Sequence, residues 1–520
     1  MSNKLEQDRA EHLAHSMGVM GSPCFSSLFL MLIIMVGGCA DPATNNIRFG
    51  MAAAPVTLDP RFATDAASYR INRLLYARLV DFDAAEQPAP ALATWQKLGP
   101  THYRFILKDD GRVFHDGSQL TSVDVKATYD SVLDAAVGSP HRGSLTVIKQ
   151  IETLDEKTLD FHLHKPDPLF PGRLTIGILP HRLIASDHPF NHHPLGSGPL
   201  RFVDWPEQGQ LILLRDRDRL SLEMIVVVDP TVRVLKLLRG EIDLIQGDLP
   251  QELIAWLEER PAIYVQRGRG STFTYLGFNL DDPVVGDINI RRAIAYALDR
   301  DSIINYVMGN AARKANAMLR PDHWAGHPGL SEYAYDPDKA RALVQRAGYG
   351  LQRPVEITYK TSNHPFRVRL ATIIQHQLEQ VGIGVDLKSY DWGTFYGDIK
   401  AGRFQMYSLS WVGLKLPDIF RYVFHSTSVP PKGANRGRFA STQADRLIEA
   451  AEDTLDLNGQ ATIYRALQTY LLEELPYVPL WYEDNVLVAR HDIVGYALAP
   501  DGNYDGLMKV HRVPQAFFEP

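Results

Sequence analysis

Five hundred and twenty residues exceed one ordinary hydrophobic core and predict several domains or a large bilobal body. With 45% hydrophobic, 10% aromatic and 22% charged residues the composition is globular, which excludes a disordered chain and a multi-span membrane protein. A formal net charge of −7 offers no basic stripe for a phosphate backbone, so no nucleic-acid partner is expected; the two cysteines, Cys24 and Cys39, precede the globular body, which excludes a disulfide or cysteine metal site within it.

From the N-terminus, Phe25 to Val36 form an uncharged apolar run of export-signal length, shorter than the roughly 20 residues that span a membrane. It closes in Val36-Gly37-Gly38-Cys39, which resembles the bacterial lipobox: an aliphatic residue, two small residues that fit a peptidase cleft, then the cysteine that receives diacylglycerol. Residues 1–38 therefore read as a signal peptide, Cys39 as the lipidation site and 39–46 as a lipidated polar tether. Lys4 and Arg9 stand far upstream among Glu6, Asp8 and Glu11, so Met17 and Met20 are alternative starts.

Between 101 and 133, Tyr103, Phe105 and Leu107 alternate as a strand, Asp109-Asp110-Gly111 and Asp116-Gly117 turn, and Thr121 with Asp124 forms a capping box before a helix, an α+β pattern. His162 and His164, two apart on a strand, read as solvent-facing. His181, His188, His192 and His193 fall within thirteen residues, but Pro189 and Pro194 and the lack of a carboxylate pattern make them a polar surface loop rather than a nickel or zinc site. From Asp287 an amphipathic helix buries Ile290, Ala293, Ile294, Ala297 and Leu298, with Arg291, Arg292 and Arg300 expected on its solvated face. Asp336-Pro337 opens another helix, lined by Ala340, Leu343, Val344 and Ala347 and closed by Gly348. Val355, Ile357 and Tyr359, then Leu370, Ile373, Ile374, Leu378 and Val381, then Ile383, Val385 and Leu387 after Gly382 read as a βαβ unit, hence a parallel, helix-covered sheet. No nucleophile elbow, phosphate-binding glycine loop or zinc-protease helix occurs, so neither an enzyme nor a cofactor or metal is expected.

The ordered motifs resemble the family 5 solute-binding proteins of ABC importers, the peptide, dipeptide and nickel-binding group. The string runs through Thr57-Leu58-Asp59-Pro60, Leu75 to Val80, Pro90 to Trp95, Val113-Phe114-His115-Asp116-Gly117 with Asp124-Val125, and Gly196-Ser197-Gly198-Pro199. It continues with Gly240-Glu241-Ile242-Asp243-Leu244, Asp287 to Arg300, Tyr335 to Ala340 with Ala347-Gly348-Tyr349, and Gly382-Ile383. The resemblance implies an α/β, periplasmic-binding-protein-like type II fold, two α/β lobes with an α+β domain inserted in the first. On this chain that assigns 47–76, 173–270 and 486–520 to lobe I, 77–172 to the insert and 271–485 to lobe II. It further implies a monomer on the periplasmic side of a bacterial membrane, lipid-anchored through Cys39. Such a receptor captures a peptide between its lobes and hands it to permease subunits and their ATPase; the alternatives are a non-peptide solute such as a nickel chelate, or a stand-alone periplasmic sensor or chaperone.

Ligands of open α/β sheets sit beyond the carboxyl ends of strands, which places the strand Gln405 to Trp411 and the loop Val412 to Asp418 at the cleft. In peptide-binding relatives a backbone segment here pairs with the ligand as an added strand, and Trp411 matches the family's cleft tryptophan. Thr64, Asp65 and Ala66 form the facing segment of lobe I. Trp411, Val412, Gly413, Leu414 and Asp418 complete the candidate site. Relatives usually place an aspartate where Leu414 stands, to pair with the ligand's α-ammonium; leucine cannot, so either Asp418 or Asp65 substitutes or the ligand lacks a free amino terminus.

Overall fold

The computed structural model describes residues 46–83, 85–206, 209–350 and 353–514. The signal segment, Cys39 and the tether up to Asn45 lie outside the described residues. Asn46, expected in the tether, already opens the first strand.

In chain order, β1 (Asn46–Met51) is followed by a hairpin, β2 (Val80–Phe82) and β3 (Pro88–Pro90), and by the four strands β4 (Ala93–Gly99), β5 (His102–Leu107), β6 (Ile148–Thr153) and β7 (Thr158–Leu163). These four make an antiparallel sheet in the order β4-β5-β7-β6. Tyr103, Phe105, Leu159 and Phe161 alternate onto one face and bury against Val125 and Tyr129 of the helix Ser122–Leu133. The Asp124 carboxylate caps that helix by accepting the Thr121 N–H at 2.8 Å.

The chain then lays down β8 (Arg201–Asp204), β9 (Gln210–Arg215), β10 (Leu220–Val226), β11 (Leu244–Gln246), β12 (Ile263–Phe278), β13 (Ala312–Lys314), β14 (Val355–Ser362), β15 (Ile383–Tyr390), β16 (Met406–Trp411) and β17 (Tyr477–Arg490). With β1 they form one eleven-stranded sheet, ordered β15-β14-β16-β12-β17-β11-β1-β10-β9-β8, with β13 beside β17. β14 and β15 are parallel, Val355 opposite Ile383, joined by the helix Pro365–Glu379, which buries Leu370, Ala371, Ile374 and Leu378. One half of the sheet packs a core that includes Ile47, Phe49, Leu222 and Leu244. The other packs Ile290, Ile357, Ile374 and Trp481 on one side and Tyr275, Phe420, Phe424 and Tyr477 on the other.

The two halves are joined by the long antiparallel pair β12 and β17. Their register breaks between Gly268, opposite Asn485, and Thr272, opposite Glu483. Before the break β17 is flanked by β11, beyond it by β13.

The helix Ile288–Ala297 begins as expected, with the Asp287 carboxylate accepting the Asn289 N–H at 2.7 Å. Arg291 and Arg292 in this helix and Arg300 just beyond it correct the sequence reading, because they do not form a solvated face. Arg291 and Arg300 are buried and Arg292 half-buried. Arg291 donates to the carbonyls of Val285, Gly286 and Glu474, Arg292 to Glu473, and Arg300 to Ala315 and Pro479. Glu473 and Glu474 end the helix Leu457–Glu474, whose last carbonyls have no intrahelical donor, and a guanidinium with five N–H groups satisfies several at once. Burial pulls the Arg291 guanidinium down to about 10, so it remains charged at neutral pH.

Candidate ligand-binding cleft

The register break places a polar cluster where β12, β16 and β17 meet the first turn of the helix Pro365–Glu379. The Glu483 carboxylate accepts the Thr274 hydroxyl at 2.6 Å and the Arg367 guanidinium at 2.7 and 3.1 Å, and the Thr274 and Ser410 hydroxyls lie 2.7 Å apart. Burial opposes ionisation of Glu483, yet the charge and hydrogen bonds of Arg367 hold it below the usual carboxylate range. The neighbouring Asp484 accepts the Gly270 N–H and the Arg313 Nε–H, each at 3.0 Å.

Beside this cluster β16 is paired with β12 along its whole length, Met406 opposite Phe278 to Trp411 opposite Phe273. On its other edge β14 accompanies it only at Met406 and Tyr407. From Ser408 to Trp411 that edge has no strand partner among the described residues, and these four residues are half-buried. The Trp411 Nε1 is buried without a hydrogen-bond acceptor among the described residues. The Arg436 guanidinium lies 5.0 Å from the Trp411 ring and donates to the Tyr275 and Tyr396 hydroxyls at 3.2 and 3.1 Å. It is 7% exposed, and among the described residues no carboxylate reaches it within ion-pair distance.

The loop after β16 turns at Gly413, whose φ of 68° lies in the left-handed region that favours glycine. Val412 is exposed, whereas Leu414 is buried in the aromatic core with Phe420 and Phe424. Lys415 pairs with Asp501 at 2.8 Å and Asp418 pairs with Arg173, which also holds Asp167. Leu416 packs so closely on Gly172 that a Cβ there would come within 2.9 Å of it. The Asp65 carboxylate is the N-cap of the helix Ala66–Leu75, accepting the Ser68 N–H at 2.8 Å, and Thr64 and Ala66 are exposed. No hydrogen bond or ion pair joins Thr64, Asp65 or Ala66 to the Trp411–Asp418 segment among the described residues. Trp411 and Arg436 thus lie on the aromatic face of the sheet, and Ser410, Thr274, Glu483 and Arg367 on the opposite face beside the helix Pro365–Glu379; of these, Arg436, Thr274, Glu483 and Arg367 were missed in the sequence. One signal was available: Glu483-Asp484-Asn485 interrupts an otherwise apolar run from Tyr477 to Ala489.

The four clustered histidines do not converge. His181 faces Asp124 at 2.8 Å, His188 the His193 carbonyl at 2.7 Å, and the His192 ring lies 5.7 Å from Trp205.

Residues 86–429 match the family model of the bacterial extracellular solute-binding proteins, family 5, middle region. The chain belongs to this family. The match takes in Arg367 and Trp411 and ends before Arg436 and Glu483. Among similar family 5 proteins, the di/tripeptide-binding protein 2 of Pseudomonas aeruginosa is 26% identical, with 86% of this chain and 91% of its own length covered. The dipeptide-binding protein of Escherichia coli is 24% identical, with 87% and 92% covered. The structure of the periplasmic binding protein DppA of Helicobacter pylori in complex with the peptide STSA superposes with a TM-score of 0.77 at 25% identity, over 90% of this chain and 98% of that one. The family 5 fold is therefore the periplasmic-binding-protein-like type II architecture expected from the motifs.

Proposed function

We propose that this family 5 protein is the extracytoplasmic receptor of an ABC importer, captures a peptide between its lobes and delivers it to the permease, tethered to the membrane by lipid on Cys39. The observation that carries the ligand class is the edge of β16 from Ser408 to Trp411, which has no strand partner among the described residues. A peptide laid along it would be held by main-chain hydrogen bonds, which are indifferent to side-chain identity, with the free Trp411 Nε1 as a further donor. The names of the two peptide-binding relatives support the same class.

The charges of the site set the polarity of that peptide. Leu414 offers no carboxylate, and Asp418 and Asp65 are engaged by Arg173 and by a helix terminus, so the α-ammonium lacks its usual partner. Arg436 is a buried cation without a counter-ion among the described residues, and a ligand carboxylate would remove the cost of leaving it so. Calorimetry with one peptide in free, N-acetylated and C-amidated forms tests this. Acetylation is expected to cost less than about tenfold in affinity, and amidation on the order of 1.5 to 3 kcal/mol, about tenfold to a hundredfold. Arg436→Gln should erase the difference between acid and amide. Loss of binding on acetylation with no response to amidation would reverse the assigned polarity, and failure of peptides of every length to bind would remove the peptide reading. For the anchor, labelled fatty acid should be incorporated by the wild type and not by Cys39→Ala; equal labelling of both refutes it.

A further inference from the structure

We propose that the outer face of the inserted four-stranded sheet carries a binding site for a divalent first-row transition metal ion, held by His102 of β5 with Asp160 and His162 of β7. The site lies apart from the cleft and does not rest on the peptide reading. Register creates it: His102 stands directly opposite His162, and Asp160 opposite Arg104 on one side and Glu152 of β6 on the other. Because Tyr103, Phe105, Leu159 and Phe161 take the core face, His102, Arg104, Asp160 and His162 share the opposite face, where Asp160 is covered by its neighbours and is 4% exposed.

The geometry suits a metal. The two imidazoles stack with centroids 4.4 Å apart, and one ligand atom from each of His102, Asp160 and His162 lies within 4.8 Å of the others. His102 Nε2 is 2.9 Å from Asp160 Oδ2. Around a tetrahedral zinc with bonds of about 2.0 to 2.2 Å, adjacent ligand atoms stand roughly 3.3 Å apart, so an ion can take the place of the proton now bridging these two atoms with small side-chain shifts. Arg104 fixes the carboxylate, Nε to Oδ1 at 2.8 Å and Nη2 to Oδ2 at 2.9 Å, as outer hydrogen bonds orient ligands in metal sites. Glu152 Oε2, 3.8 Å from His162 Nε2, is within reach as a fourth donor. Two imidazole nitrogens with carboxylate oxygens favour zinc, copper or nickel over magnesium or calcium. The imidazoles are about a third exposed, at 31% and 34%, so an ion has a path in.

Titration of the untagged, chelator-stripped protein with ZnCl2, and with MgCl2 as the control, tests the assignment. One zinc per chain and no magnesium uptake are expected, with His102→Ala and His162→Ala each lowering zinc affinity by at least about tenfold and His188→Ala leaving it unchanged. Thermal melting of each variant verifies its fold, and His162→Gln provides a milder replacement should the alanine destabilise the sheet. Absence of stoichiometric zinc binding by the wild type, or wild-type affinity in the folded His102 and His162 variants, overturns the site.

Discussion

His323 is held with both ring nitrogens engaged. Nδ1 accepts the Ala325 N–H at 3.0 Å, so Nε2 carries the proton and donates it to the Lys415 carbonyl, also at 3.0 Å. Protonation would turn Nδ1 into a second donor facing a donor, inside a buried pocket beside Arg320 and Lys415. Burial chiefly, with some repulsion from those cations, depresses this histidine to about 4, although Glu86 and Asp322 are also close. Because the folded value lies below the unfolded one, the stability His323 contributes is complete above about pH 6.5 and is lost as the pH falls from there towards 4. The loss is on the order of 3 kcal/mol over that window, or about 1.4 per unit. Burial raises Glu86, which gives the opposite slope, but it does so in wild type and variant alike. Chemical denaturation from pH 7 to 4 should therefore show a shallower acid loss in His323→Gln than in the wild type; parallel curves would mean that His323 is not the titrating group.

At the scale of elements, the sequence was informative wherever one face is buried and a cap marks the end. The βαβ unit at 355–390, the helix opened by Asp336 and the capping box at Thr121 were legible because apolar periodicity and local hydrogen bonds act within a few residues. Trp411 was legible as the end of a strand. Arg291 and Arg436 were not, since both are buried cations whose surroundings come from chain segments far away. The partners of Arg291 include the end of a helix some 180 residues on, whereas Arg436 meets tyrosines on β12 and on the helix Trp392–Ala401. Asp65 and Asp418 illustrate the same limit from the other side. Each is a carboxylate at the expected place, but a helix terminus and Arg173 have already claimed them. Nothing local distinguishes a structural carboxylate from one left for a ligand.

For the whole molecule, the decisive feature is that, among the described residues, only β12 and β17 carry the sheet from one half to the other, and that their register fails at Gly268–Thr272 opposite Glu483–Asn485. A change of backbone angles at so few residues is enough to rotate one lobe against the other. Opposing that freedom, Lys415 pairs with Asp501 at 2.8 Å, Arg320 with Glu86 at 3.4 Å, and Arg173 with Asp418, ties that link the second lobe to the first lobe and the insert. These side chains are largely buried, Arg320 and Glu86 being 9% and 6% exposed, so each pair's attraction is offset by its desolvation and its net bias toward the joined arrangement is small; a ligand touching both lobes would add differential affinity for it. Small-angle scattering of the ligand-free protein should accordingly give a larger radius of gyration than the same protein saturated with a tight peptide. Asp418→Asn combined with Lys415→Ala should lower peptide affinity by less than about tenfold, through the closed population alone, since neither side chain is assigned to the ligand. A tight peptide that leaves the radius unchanged, or a double variant that binds as the wild type does, would mean that these pairs are incidental and that the lobes do not move as a clamp.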